Sequence, residues 1–78
     1  KSASPQEVSS AIEQFYMEGQ YDSCIQLFER QVAVANGSAV NNFFVGNAYL
    51  HQKQPEKALL CFQQVLTINQ YSPDRYYH

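Results

Sequence analysis

Four side chains in this 78-residue sequence carry the strongest intrinsic chemistry: Cys24, Cys61, His51 and His78. A metal centre needs three or four Cys, His or carboxylate ligands converging on one point. Neither histidine has a cysteine or an acid at ligand spacing, so no metal site is expected. The two thiols could pair only if their Cα atoms came within about 7 Å of each other. They read better as free, buried thiols, which favours a reducing compartment and hence a cytoplasmic location. No Ser-His-Asp set, paired-carboxylate cleft or glycine-rich phosphate loop can be assembled, so neither an enzyme nor a cofactor is expected. Asn36-Gly37-Ser38 is formally a glycosylation sequon, but it has the composition of a turn that caps a helix.

Composition narrows the field further. Charged residues make up only 15% of the chain, against roughly 25% in ordinary globular domains. Glutamine supplies the missing polarity, with ten Gln and five Asn, and glutamine is a good helix former. The net charge is −2 and there is no basic cluster, which argues against a nucleic-acid partner. No apolar run approaches the length of a membrane span, so membrane insertion is not expected. The sequence opens on Lys1 with no targeting segment, which reads as a boundary inside a longer protein.

The elements that must position these residues repeat. At an offset of 34, Ala11 pairs with Val45, Phe15 with Tyr49, Cys24 with Ala58, and Ile25 with Leu59. Phe28 with Phe62, Val32 with Leu66, and Val34 with Ile68 continue the series without a gap. Ser4-Pro5 and Ser72-Pro73 stand two such periods apart. A match over two helices and the turn between them marks an internal repeat. Cys24 and Cys61 are not at equivalent places in it, which makes a disulfide between them less plausible.

Each unit divides into two helices. Ser4, Pro5 and Glu7 form a capping box that opens a helix running to about Glu18 and stopped by Gly19. Tyr21-Asp22 opens a second helix, reaching about Ala35 before Asn36-Gly37. Ser38 caps a third from Ala39 to about Gln52, and Pro55 opens a fourth that reaches about Asn69. The expectation is a single all-α domain of antiparallel helix hairpins. Repeat one spans 5–38, repeat two spans 39–72, and 73–78 begins a third repeat or a capping helix.

The run Val45-Gly46-Asn47-Ala48-Tyr49, followed by Ala58 and Phe62, resembles the tetratricopeptide signature. Small residues at Gly46 and Ala58 let the hairpin's helices approach, and Tyr49 and Phe62 fill the space beside them. The first unit matches less closely through Ala11, Phe15, Gly19, Tyr21, Cys24 and Phe28. Ile12 stands where the family prefers glycine and should spread that hairpin. Asn42 and Val8 occupy the place of the family's tryptophan, and Asn36 and Gln70 the place of its helix-ending proline. Arg75, Tyr76 and Tyr77 fall where a third unit's first helix would begin.

The resemblance implies repeats stacked as a short right-handed α-solenoid, a scaffold or adaptor binding a peptide or partner helix in its concave groove. Carried over by position, the groove residues are Gln6, Ser9, Ser10, Glu13, Tyr16 and Met17, then Val40, Phe43, Phe44, Asn47, Leu50 and His51. The strongest candidates are Glu13, Tyr16, Met17, Phe43, Phe44, Asn47, Leu50 and His51. Phe43 is expected mainly in core packing, with Phe44 divided between core and ligand, while Asn47 could hold a peptide backbone. Family members that grip a carboxylate terminus of heat-shock proteins use a cationic clamp. Here only Asn47 keeps its clamp residue, and Ser9, Glu13 and Tyr77 replace others, so that clamp is not assembled. Two further expectations stand beside the groove: self-association through exposed repeat ends, and a small secretion-type chaperone.

Overall fold

The structure, a computed structural model, describes residues 4–70, apart from the side chain of Gln70. The expectations placed on Ser72, Pro73 and residues 75–78 lie outside that range. The described residues form five helices and no strand: α1 Pro5–Met17, α2 Tyr21–Arg30, α3 Val32–Ala35, α4 Ala39–His51 and α5 Pro55–Gln70. The fold is all-α.

Its starts and stops follow local chemistry. The Ser4 Oγ accepts from the Glu7 amide at 3.2 Å while Glu7 Oε1 accepts from the Ser4 amide at 3.1 Å, the reciprocal pair of a capping box. Ser38 caps α4 in the same way on one side only, accepting from the Asn41 amide at 3.3 Å. The turns that close the two hairpins are superposable bond for bond at the offset of 34. Gly19 N–H donates to Tyr16 O and Gln20 N–H to Phe15 O. Lys53 N–H donates to Leu50 O and Gln54 N–H to Tyr49 O. Both are Schellman motifs, whose C′ residue must be left-handed. Gly19 meets that demand at φ 78°, and Lys53 meets it at φ 61° with a side chain attached.

One expected helix is two. Instead of running from Tyr21 to Ala35, the chain leaves helical geometry at Gln31, at φ −114° and ψ 31°. The Gln31 carbonyl then accepts from the Val34 and Ala35 amides at 2.9 and 2.8 Å, starting α3 afresh. Val32 and Val34 are β-branched and weak helix formers, which makes this the cheapest place to interrupt the helix. The offset carries Ala35 into full burial and leaves Val32 on the surface.

The core runs through both hairpins. Val8 and Ile12 of α1, Cys24, Ile25 and Phe28 of α2, and Val45, Ala48 and Tyr49 of α4 are its main members, with Ala58 and Cys61 from α5. Helix α4 packs against α1 and α2 on one side and α5 on the other. Its approach to α5 is closest at Gly46, where an added Cβ would lie 2.7 Å from the Phe62 ring. The small residue demanded by the hairpin geometry is thus accounted for by a named contact.

Holding an L-residue in the left-handed region costs roughly 1–2 kcal/mol, partly offset by the extra unfolded-state freedom of glycine. Lys53→Gly is therefore expected to raise stability by about 0.5–1 kcal/mol in urea unfolding, and Gly19→Ala to lower it by about 1 kcal/mol. An unchanged midpoint for Lys53→Gly would show that the second turn carries no backbone strain.

Candidate protein-binding site

The helical period carries three ring systems from α1 and α4 onto one face. Tyr16 lies 5.2 Å from Phe44 and 6.3 Å from His51 between ring centroids. Tyr21, the first residue of α2, completes the group. It stacks on His51 at 4.2 Å with the rings only 4° apart, and meets Tyr16 edge-on at 5.5 Å. Tyr21 was not among the expected groove residues, and the repeat could not reveal it, because the equivalent place in the second unit is Pro55. Its position follows from the short α1–α2 turn, which returns the chain beside the end of α4.

None of the eight strongest candidates is buried, but they do not form one continuous patch. Tyr16, Phe44 and His51 belong to the aromatic group. Glu13 and Met17 instead line a shallow depression along α1 with Ser10, Gln14 and Glu18. Phe43 and Leu50 lie with Val40 on a separate exposed stripe of α4, and Phe43 touches the aromatic group through Phe44 at 6.2 Å. The expectation that Phe43 packs mainly in the core is not met. Phe43 is 54% exposed and outside the core, whereas Phe44 packs against it. The hundred-degree step between adjacent helical residues gives one of them the interior, and α1 approaches on the Phe44 side.

Asn47 is half-buried, and its Nδ2 donates to the Phe43 carbonyl of its own helix at 2.9 Å. That bond aims the amide, with its oxygen left as an acceptor and one N–H as a donor for a passing backbone. Glu13 is the single charged candidate, and Glu18 and Asp22 are exposed on the same hairpin. The face is apolar and aromatic with an acidic margin.

A second cavity of about 290 Å³ opens on the other side, between α2 and α5 over a floor from α4. Tyr49 crosses it, its hydroxyl donating to Glu29 Oε2 at 2.7 Å, and Lys57 Nζ lies 5.8 Å from the centre of the same ring. Burial, then the bond to Glu29, pushes the Tyr49 hydroxyl well above its usual range. Both cysteines are free and buried. Burial pushes Cys24 up to about 11, reinforced by the proximity of Cys61, and burial pushes Cys61 to about 11. Among the described residues no group of three His, Cys, Asp or Glu could hold a metal ion.

Behind the site sits a polar latch that sequence reasoning missed. Asn41 and Asn42 are each 1% exposed. Asn42 Nδ2 donates to the carbonyls of Asn36 and Ser38 at 3.0 and 2.9 Å, and Asn41 Nδ2 donates to Ala35 O at 3.2 Å. Gln64 Nε2 is the second donor to the Asn36 carbonyl, at 3.1 Å. The Ala35 and Ser38 carbonyls also accept from backbone amides, whereas the Asn36 carbonyl, where α3 ends, depends on the side chains of Asn42 and Gln64. The available signal was Asn42 at a position whose partner in the first unit, Val8, is apolar.

Residues 40–72 match the family model of the tetratricopeptide repeat. Those residues are thus similar to a tetratricopeptide repeat, an element whose general role is protein–protein interaction. No curated protein and no solved structure matches the sequence. No helix among the described residues is long and apolar enough to cross a membrane.

Two outcomes follow from the interior. Asn42→Ala should lower stability by about 1 kcal/mol, since it removes two side-chain hydrogen bonds while Gln64 still donates to the Asn36 carbonyl and the residue-42 amide to that of Ser38; thermal unfolding measures this. The thiols hold protons in the native state that the unfolded chain releases near the ordinary value of 9.0. Stability is therefore expected to fall as pH rises above about 9 and to go on falling until the native thiols ionise near 11. Replacing both cysteines with serine would delay the onset of that slope in urea titrations to above about pH 10, where Tyr49, whose ordinary value is 10.0 and is also raised by burial, begins to contribute.

Proposed function

We propose that this chain is a scaffold or adaptor module that takes a peptide segment or partner helix along the face shared by α1 and α4. In this reading 5–38 and 39–72 are two repeats stacked in the sense of a short right-handed solenoid. Glu13, Tyr16, Met17, Phe43, Phe44, Asn47, Leu50 and His51 are the contact residues, with Tyr21 added by its stacking on His51. The single observation that carries the reading is the aromatic group in which three helices contribute rings, with Tyr16, Tyr21 and Phe44 half-buried against the core and His51 exposed above them.

Aromatic anchors with a polar rim are what protein interfaces use for most of their binding energy. Rings already packed on one another lose little freedom when a ligand arrives, which lowers the entropic cost of association. Asn47 offers one donor and one acceptor to an extended backbone. The acidic margin at Glu13 selects for basic or neutral residues flanking an apolar anchor, and against a carboxylate.

A peptide library displayed on phage and selected on the chain tests this. The expected winners carry an aromatic or aliphatic anchor flanked by Lys or Arg. Replacing the exposed Met17 and His51 together with Glu should weaken them at least ten-fold, with helical circular dichroism unchanged. Winners that bind this double variant as tightly as the parent chain would place the site elsewhere.

A further inference from the structure

The turn Asn36-Gly37-Ser38 has a composition that peptide binding at the aromatic face leaves unused. Its first two residues carry a chemistry of their own, because an asparagine side chain can be attacked by the backbone nitrogen that follows it. Glycine in the following place leaves that nitrogen unscreened, having no Cβ. Of the five asparagines only Asn36 precedes a glycine; the others precede Asn42, Phe43, Ala48 and Gln70. The fold does not require glycine there. A Cβ built on Gly37 would meet nothing within 4 Å, and its φ is not positive, unlike that of Gly19. Among the described residues the Gly37 amide donates to no backbone carbonyl. Gly37 is exposed and Asn36 lines the cavity between α2 and α5, so water reaches both.

What opposes the reaction is one torsion. Asn36 closes α3 at φ −69° and ψ −17°. Ring closure needs the Gly37 nitrogen to eclipse the Asn36 Cβ, at ψ of about −120°, outside the regions that sterics readily allow. That rotation would swing the Asn36 carbonyl away from both side chains that hold it, Asn42 Nδ2 at 3.0 Å and Gln64 Nε2 at 3.1 Å. We propose that Asn36 is a site of self-modification and that the latch is its guard. The side-chain amide of Asn36 is lost only while the bonds from Asn42 and Gln64 are open.

With the latch open, the Gly37 nitrogen gives its proton to water or hydroxide and attacks the Asn36 side-chain carbonyl carbon. The new C–N bond closes a succinimide ring. The Cγ–Nδ2 bond breaks, and the nitrogen leaves as ammonia after taking up a proton. Water then opens the ring on either side, giving aspartate or isoaspartate. One water enters and one ammonia leaves, and the net charge of −2 gains one further negative charge. Isoaspartate also places an extra carbon in the main chain at the end of α3, which displaces the carbonyl that Asn42 and Gln64 hold. The modification therefore undoes its own guard, and with it a tie from α3 to both α4 and α5.

Incubating the 78-residue chain at mildly alkaline pH, with the gain of about 1 Da located by peptide mass mapping, tests this. The expected site is Asn36, at a rate in the folded chain roughly ten-fold below that in concentrated urea. Asn42→Ala and Gln64→Ala should each speed the folded chain by about three-fold or more. The Gln64 variant carries the test if loss of Asn42 unfolds the chain. Gly19→Ala lowers stability in a turn remote from the latch and should leave the rate unchanged. Gly37→Ala should slow the reaction about five-fold even in urea, with circular dichroism unchanged. Equal rates in the folded and unfolded chain would overturn the guard. Acceleration by Gly19→Ala equal to that by the latch variants would do the same, since it marks global unfolding as the route. Mass gain at other asparagines with Asn36 intact overturns the site itself.

Discussion

Helix α4 has no face that water alone can be left to cover, and the rest of the molecule is arranged by that constraint. Val45, Ala48 and Tyr49 are buried against α1 and α2, and Gly46 faces α5. A helix apolar around most of its circumference must be enclosed. Enclosure on the α5 side depends on a missing methyl group. A Cβ at position 46 would stand 2.7 Å from the Phe62 ring, so with any other residue that ring would have to shift from its place between the two helices. The first hairpin has Ile12 and Cys24 at the places of Gly46 and Ala58, both fully buried. It therefore fills with side chain the space that the second hairpin closes with backbone.

The polar interior answers a different demand. A short helix such as α3 ends with carbonyls that need donors. Asn41 and Asn42 supply those donors from the first turn of the next helix, and Gln64 does so from α5. Asn42 donates to the carbonyl of Asn36, so the first turn of α4 supplies a donor to the end of α3. Asn41 Oδ1 is buried without a hydrogen-bond partner, the one cost of the arrangement seen among the described side chains.

Where chain chemistry is local, sequence reading reached it. Ser4, Gly19, Ser38 and Pro55 act through bonds within a few residues of themselves, so the ends of α1, α4 and α5 were legible. The break at Gln31 was not, because the amphipathic pattern from Tyr21 to Ala35 continues through it. Lys53 could be found only by carrying the backbone of Gly19 forward one period, since lysine has no preference for positive φ. The order of Phe43 and Phe44 depends on which side α1 approaches, a tertiary fact that no spacing within α4 contains. Tyr21 joined the aromatic face for the same reason.

The bond from Tyr49 to Glu29 joins the two hairpins, and it has an optical consequence. The chain has six tyrosines and no tryptophan, so its near-ultraviolet emission comes from phenols alone. A phenol hydrogen-bonded to a carboxylate loses excitation by passing its proton across that bond. Emission from Tyr49 is therefore expected to be quenched while that bond is made and to rise when the hairpins separate. The protein carries its own fluorescent gauge of the contact between its repeats.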